Sequence, residues 1–334
     1  MKSALLLLMI CTVLGTAASF DVAQVKSDLV SLDPTQPPRT TKAIANYWQY
    51  YRLDCAQSTH WCGTFLSGRD TLCGHLWLPL LAPARATVFV IHGYYDHVGI
   101  TTNLINRMVA QGYAVAAFDL PGHGLSSGAR VSIEDFSRYR DALVCFTGVV
   151  TSVAPQPWIL TCHSTGGAVA LEYLFTSDSS AFAHTILLAP LVRGDLWELS
   201  RFGNKLLKPF VKTTVRWFRR SSHDRKFLKW FKSEPLQEHQ FPMQWAQAMY
   251  AWNDRFIKYA PRPFPVSIIQ GDNDETVAWR YNIPCLQKKI PTAAVYMLQG
   301  ARHQLLNETE PWREQCLTRI ESLVQGIIPS AVKH

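Results

Sequence analysis

The stretch Trp158-Ile159-Leu160-Thr161-Cys162-His163-Ser164-Thr165-Gly166-Gly167-Ala168-Val169-Ala170 constrains this chain more than any other. An apolar, β-prone run stops at a serine, and small residues leading into a helical pattern follow. A strand that reverses sharply into a helix leaves no room for bulk two residues before or after the turn. Cys162 and Gly166 hold those two places, and Gly167 lets the helix lie close to the strand. Such a turn lifts the Ser164 hydroxyl above a sheet, with a helix N-terminus behind it. The pattern is G-x-S-x-G with Cys162 in place of the first glycine. An ordinary strand–loop–helix junction would look the same, so the neighbouring segments decide.

From about His75 short apolar runs alternate with helical patterns. The runs are His75–Pro79, Ala86–Ile91, Ala114–Leu120, Trp158–Thr161, Thr185–Ala189, Val266–Gln270 and Ala294–Leu298. Between them Thr101–Gln111, Ile133–Val153, Thr165–Thr176, Thr276–Lys289 and Trp312–Val324 carry apolar residues at helical spacing. This alternation predicts an α/β fold with a mostly parallel central sheet and helices on both faces. The pattern stops after Ala189 and resumes at Pro265, which marks residues 193–262 as a helical insertion over the site. Residues 71–192 and 263–334 are the two parts of the core. Residues 20–70, with Pro34, Pro37 and Pro38 and no strong periodicity, read as an N-terminal arm.

Residues 1–19 read as an export signal: Lys2, an apolar run from Ala4 to Leu14, then small residues suited to cleavage before Phe20. A retained membrane anchor is the alternative. Seven cysteines remain beyond it, and Cys55 with Cys62 is the candidate bridge for an oxidising compartment. Neither C-x-x-C nor H-E-x-x-H occurs, so no metal and no cofactor is expected. His92, His97, His123 and His163 read as turn-stabilising rather than metal-binding. Asn307-Glu308-Thr309 is a glycosylation sequon only on a eukaryotic secretory path.

Ligands of such sheets sit beyond the carboxyl ends of the strands, where a serine hydroxyl needs a base, an acid to orient that base and donors for an oxyanion. His303 follows the last strand and is the candidate base. Asp274, opening the helix after the preceding strand, is the candidate acid, with Asp272 as the other possibility. The backbone N–H groups of Tyr94 and Thr165 are the candidate oxyanion donors.

These strand-end segments resemble the lipase branch of the α/β-hydrolases, which holds bacterial lysophospholipases, monoacylglycerol lipases and serine aminopeptidase S33-like enzymes. The matching residues are His92-Gly93-Tyr94-Tyr95-Asp96-His97, Asp119-Leu120-Pro121-Gly122-His123-Gly124-Leu125-Ser126, His163-Ser164-Thr165-Gly166-Gly167, Gly271-Asp272-Asn273-Asp274 and Gly300-Ala301-Arg302-His303. The resemblance implies acyl-ester hydrolysis through an acyl-serine, with Ser164, Asp274 and His303 as the triad. Cys162, Tyr95 and Asp96 depart from the family's usual residues, and Tyr94-Tyr95 is expected to narrow the acyl entrance.

Between Arg193 and Lys232 stand twelve Lys/Arg against Asp195, Glu198 and Asp224, interleaved with apolar residues from Leu206 to Phe231. Basic amphipathic helices with tryptophans suit an anionic lipid surface; a lid with solvated charges is the alternative. Nucleic acid is not expected, because no recognition fold accompanies the charge. Tyr95, His163, Trp217 and Trp230 are the candidate substrate-binding residues. The expected substrate is a single-chain lipid, a lysophospholipid or monoacylglycerol. Three rivals stand beside it: an aminopeptidase-like amidase, whose amine-binding acid would be Glu234, Glu238 or Asp254, a small-ester carboxylesterase, and a non-catalytic lipid- or membrane-binding protein on the same fold.

Overall fold

The computed structural model describes residues 19–80, 82–207 and 210–328. The expected export segment lies almost wholly outside them, as does Lys208. Helices α1 (Val22–Asp28) and α2 (Lys42–Tyr51) open the chain, capped by the Asp21 carboxylate and the Thr41 hydroxyl. Strands β1 (Ser58–Ser67) and β2 (Asp70–Pro79) form an antiparallel hairpin paired along their whole length. Then come β3 (Thr87–Ile91), α3 (Thr102–Ala110), β4 (Ala114–Phe118), α4 (Ser137–Val150), β5 (Trp158–His163), α5 (Thr165–Thr176) and β6 (His184–Leu188). The next segment carries α6 (Trp197–Leu207), β7 (Thr213–Val215), α7 (Arg225–Ser233), β8 (Gln240–Pro242) and α8 (Met243–Phe256). The core resumes with β9 (Val266–Gly271), α9 (Trp279–Lys289), β10 (Ala294–Leu298) and α10 (Trp312–Ile327).

Among the described residues eight strands make one sheet in the order β1-β2-β4-β3-β5-β6-β9-β10, parallel from β4 onward. Strands β3, β4, β5 and β9 are buried at every position, which is why they read as continuous apolar runs rather than alternating ones. One face packs on α4, α5, α8 and α9, the other on α2, α3 and α10. The arm expected over 20–70 differs from what forms. It contains two helices and β1, and the boundary at residue 70 falls inside a hairpin whose turn has Gly68 at φ +57°. Strand β1 takes its register from β2 through the hairpin, and its buried positions include His60, Cys62 and Ser67, which do not read as an apolar run.

The expected Cys55–Cys62 bridge does not form. The Cys55 thiol donates to Asn106 Oδ1 at 2.7 Å, while Cys62 is buried inside the hairpin beside Cys73. Proximity along the chain misled, because β1 carries Cys62 away from the α2–β1 loop. Asn307 is buried too, its amide donating to the carbonyl of Ile100 and to Gln304 Oε1, so the sequon holds no accessible acceptor in the folded chain.

Two of the places that hold segment 193–262 down lie on the loops of His303 and His97. Residues Ser221–His223 lie on the loop of His303: the Gln304 amide donates to the Ser221 carbonyl, and the Ser222 hydroxyl and His223 amide meet Asn307 and the buried Glu308 carboxylate. On the other side Glu234 inserts against His97 of the β3 loop, with its carboxylate 3.4 Å from Nε2 and accepting from the Tyr51 hydroxyl. Burial alone would raise the Glu234 pKa, but the His97 charge and the hydrogen bonds of Tyr51 and Leu236 leave it lowered. Burial would lower that of His97, but Glu234 leaves it raised. Linkage then fixes the pH window. The contribution of Glu234 is present above its unfolded pKa of about 4.3 and lost as pH falls through its lower folded value. That of His97 is present below its unfolded pKa of about 6.5 and lost as pH rises through its higher folded value. Thermal melts across this range should show a maximum between those limits. In Glu234→Ala the maximum should flatten and stability should fall by about 3–5 kcal/mol, the usual cost of orphaning one member of a buried pair.

Candidate active site

Ser164 ends β5 and starts α5 with φ 51° and ψ −111°, a conformation outside the regions open to ordinary L-residues. Such strain costs about 1–3 kcal/mol and persists only where the surroundings enforce it. They do so here through close packing. A Cβ on Gly166 would stand 2.5 Å from the Ile91 carbonyl oxygen and 2.8 Å from that of His92. The Ser164 amide donates to the Leu188 carbonyl, and its own carbonyl accepts from Gly167 and Leu191. Cys162 fits between β3 and β6, opposite Ile91 and Leu187, and burial pushes its thiol pKa well up, leaving it inert.

Asp274 and His303 come from the loops after β9 and β10. Their side chains meet at 2.7 Å between Oδ2 and Nδ1. The other carboxylate oxygen accepts from the Thr276 and Val277 amides, so Asp274 both caps a turn and faces the imidazole. Burial acts to raise its pKa, but the His303 charge and hydrogen bond and those two amides leave it lowered. Asp272, the other candidate, is turned to the Gly300 amide instead. Ser164, Thr165, Tyr94 and His303 all border one cavity of about 520 Å³. The Tyr94 N–H has no acceptor among the described residues, and that of Thr165 is the first of the α5 N-terminus, where no intrahelical partner exists.

A buried polar frame holds these loops in place. His163 donates from Nε2 to the His303 carbonyl at 3.1 Å, and its Nδ1 lies 3.2 Å from Asp96. Gln304 donates to the same Asp96 carboxylate. A Cβ on Gly93 would meet both Asp96 Oδ2 and His163 Nδ1 at 2.8 Å. His92 Nε2 accepts from the Leu120 amide and its Nδ1 donates to the Gly93 carbonyl, while Asp119 accepts from the Val98 and Leu125 amides. Thus His163 lines the cavity wall, yet both of its nitrogens are already engaged with protein.

The other candidate substrate-binding residues divide. Tyr95 lies on the wall with φ +66°, its hydroxyl donating to the Gln240 carbonyl of β8 and its ring under the Arg216 guanidinium at 3.7 Å. Trp217 is on the cavity rim and 86% exposed. Trp230 is not at the cavity. Its indole N–H donates to the Tyr50 hydroxyl and its ring packs on Tyr51, because α7 turns Trp230 toward α2 while Leu228 and Phe231 of the same helix face the cavity. Sequence reasoning counted Arg216 only as one more surface charge. It is a half-buried cation on the cavity wall, its pKa lowered by burial to about 10, and no local signal distinguishes it from its basic neighbours.

The profile of the family described as serine aminopeptidase, S33, matches residues 82–310. The chain belongs to that family of α/β-hydrolases. A monoglyceride lipase homolog of monkeypox virus is 26% identical over 258 residues, which cover 74% of this chain and 92% of the viral protein. The monoacylglycerol lipase of Mycolicibacterium smegmatis is 25% identical over 248 residues, covering 70% and 86% respectively. The crystal structure of the monoacylglycerol lipase from Paleococcus ferrophilus superposes with a TM-score of 0.66 at 20% identity, over 77% of this chain and 99% of that one, and speaks for the fold. With these relatives the chain stands on the monoacylglycerol lipase branch of the family.

Gly166→Ala should report how tightly the turn is built. Its Cβ meets backbone on both sides, so overpacking is expected to cost about 1–3 kcal/mol. A thermal melt should show that loss together with slower labelling of Ser164 by a fluorophosphonate.

Proposed function

We propose that this chain hydrolyses the acyl ester of a single-chain lipid, a monoacylglycerol before a lysophospholipid, through an acyl-serine at Ser164. The observation that carries the reading is the buried Asp274–His303 pair on the same cavity as the strained Ser164, with walls formed by Leu191, Leu228, Phe231, Met249 and Trp245. In this mechanism Ser164 Oγ attacks the ester carbonyl and His303 takes its proton. Asp274 holds the imidazole in the orientation and tautomer required and offsets the charge that forms. The oxyanion is received by the Tyr94 and Thr165 amides, fixed in place before the reaction begins. His303 returns the proton to the leaving glycerol oxygen, and a water then repeats the sequence on the acyl-serine. The ring of Tyr94, stacked on Trp245 at 3.7 Å and tied to the Val131 carbonyl, keeps its amide in position.

An amidase acting on free amino termini is not favoured. Glu234 is committed to His97 and Tyr51, Glu238 accepts from the His239 and Gln240 amides, and Asp254 pairs with Arg201 through two hydrogen bonds. Asp195, which does reach the cavity wall, is paired with Arg219. No unpaired acid among the described lining residues awaits an ammonium group.

We further propose that the insertion docks on an anionic lipid surface, and that residues 1–19 direct export. Phe202, Leu206, Phe210, Val215 and Trp217 stand out from the insertion, with Phe210 85% and Trp217 86% exposed. Exposed Lys205 and Lys212 lie in the same run. The aromatic face of α7 has no part in this docking, because Trp230 and Phe231 pack inward.

Release of fatty acid from monooleoylglycerol and from lysophosphatidylcholine tests the chemistry. Ser164→Ala should lose about 10⁴–10⁶-fold in kcat and Asp274→Asn about 10⁴-fold. Hydrolysis that survives in Ser164→Ala would sink the proposal. For the surface, the protein should sediment with phosphatidylglycerol vesicles in a salt-dependent manner. Trp217→Ser with Phe210→Ser should weaken that binding by about tenfold or more, given about 1.5–3 kcal/mol for each large side chain buried.

A further inference from the structure

Under helix α2, away from the cavity that Ser164 borders, the β1–β2 hairpin brings together three side chains that hydrolysis does not use. Cys62 lies opposite His75 across the hairpin, and Cys73 lies opposite Thr64. Both sulfurs and the ring are buried, at 6%, 1% and 0% exposure. The two Sγ atoms are 3.9 Å apart, and His75 Nε2 stands 3.8 Å from Cys62 Sγ and 3.6 Å from Cys73 Sγ. We propose that Cys62, Cys73 and His75 form a buried three-ligand site for a soft, thiophilic metal ion of the Cu(I) or Zn(II) class.

The spacing fits an ion at the centre of the triangle. Two metal–sulfur bonds of ~2.3 Å and one metal–nitrogen bond of ~2.0 Å in a plane separate their ligand atoms by roughly 3.7–4.0 Å. The three observed distances are the edges of that triangle to within a few tenths of an ångström. A disulfide fits less well. Cys62 and Cys73 are diagonal neighbours in the ladder, a relation that holds Cα atoms about 7–8 Å apart, whereas a disulfide spans about 4.4–6.8 Å.

The surroundings are those of a metal–thiolate centre. His75 Nδ1 lies 3.0 Å from His60 Nε2. A metal on His75 Nε2 leaves the proton on Nδ1, which then donates to His60, the outer hydrogen bond that ligating histidines ordinarily make. The Tyr47 hydroxyl, the Trp48 indole N–H and His60 Nδ1 are buried polar atoms without hydrogen-bond partners, and they belong to the side chains that wall in the cluster. Buried polar atoms left this way call for a reason; two thiolates sharing a metal place negative charge beside these donors. No fourth His, Cys, Asp or Glu joins the three among the described residues. Structural zinc is almost always four-coordinate, while soft thiolates select Cu(I), so the three-ligand set favours copper. Buried as it is, the ion would be taken up as the chain folds and would tie the hairpin beneath α2.

Anaerobic purification of the full chain, reduction in denaturant, and refolding with Cu(I) or with Zn(II) in separate arms tests the site. The expected result is one equivalent of ion per chain that resists a competing chelator, with a thiolate-to-metal absorption band in the copper arm. Cys73→Ser should lose that equivalent while keeping the far-ultraviolet circular dichroism of the wild type. Should that variant fail to fold, the wild type alone decides. Failure to take up either ion after reduction, or a mass two units low on the peptides of Cys62 and Cys73, marking a disulfide in the chain as made, would overturn the site.

Discussion

Helix α5 approaches β3 so closely at Gly166 that not even a methyl group fits between them, and the rest of the site depends on that approach. It forces Ser164 into a conformation it would not adopt alone and places the helix N-terminus under the loop of Tyr94. The strain is held by β5, which is locked between β3 and β6 along its length. A sheet buried on both faces provides the stiffness, and the loops at its carboxyl ends provide the chemistry. Asp96, His163 and Gln304 then fasten the β3, β5 and β10 loops into one frame. This is how side chains more than a hundred residues apart come to share one cavity.

Segment 193–262 has two physically separate faces. Its inner residues form much of the cavity wall, and its anchors at Ser222–His223 and Glu234 set it against the loops that carry His303 and His97. Its outer residues leave aromatic and aliphatic side chains in water. Large apolar patches on a soluble surface mark contact sites. Tyr95 ties the inner face to the β3 loop, clamped between Arg216 and β8 while it faces the cavity.

What was legible in the sequence was what local pattern encodes. The apolar runs were visible because strands buried on both faces need no alternation, and the turn at Ser164 was visible because sterics demand small residues within two positions of it. Asp274 and His303, which meet in the structure, were chosen from their place after β9 and β10, since parallel sheets present functional side chains there. Features set by pairing and packing between elements were not legible. Strand β1 exists because β2 pairs with it, Trp230 turns to Tyr50 because α7 docks on α2, and Cys62 meets Cys73 and His75 only through the hairpin register. No spacing rule for consecutive ligands would have found that last cluster, whose members are neighbours across a ladder rather than along the chain.

Mixing the enzyme with a p-nitrophenyl ester of a medium-chain fatty acid, quenching within one turnover and mapping the added acyl mass tests the central claim most directly. A burst of nitrophenol with the acyl group on the peptide that contains Ser164 is the predicted result. Steady turnover with no acylated Ser164 peptide at any quench time, or with the acyl group on another residue, would contradict it.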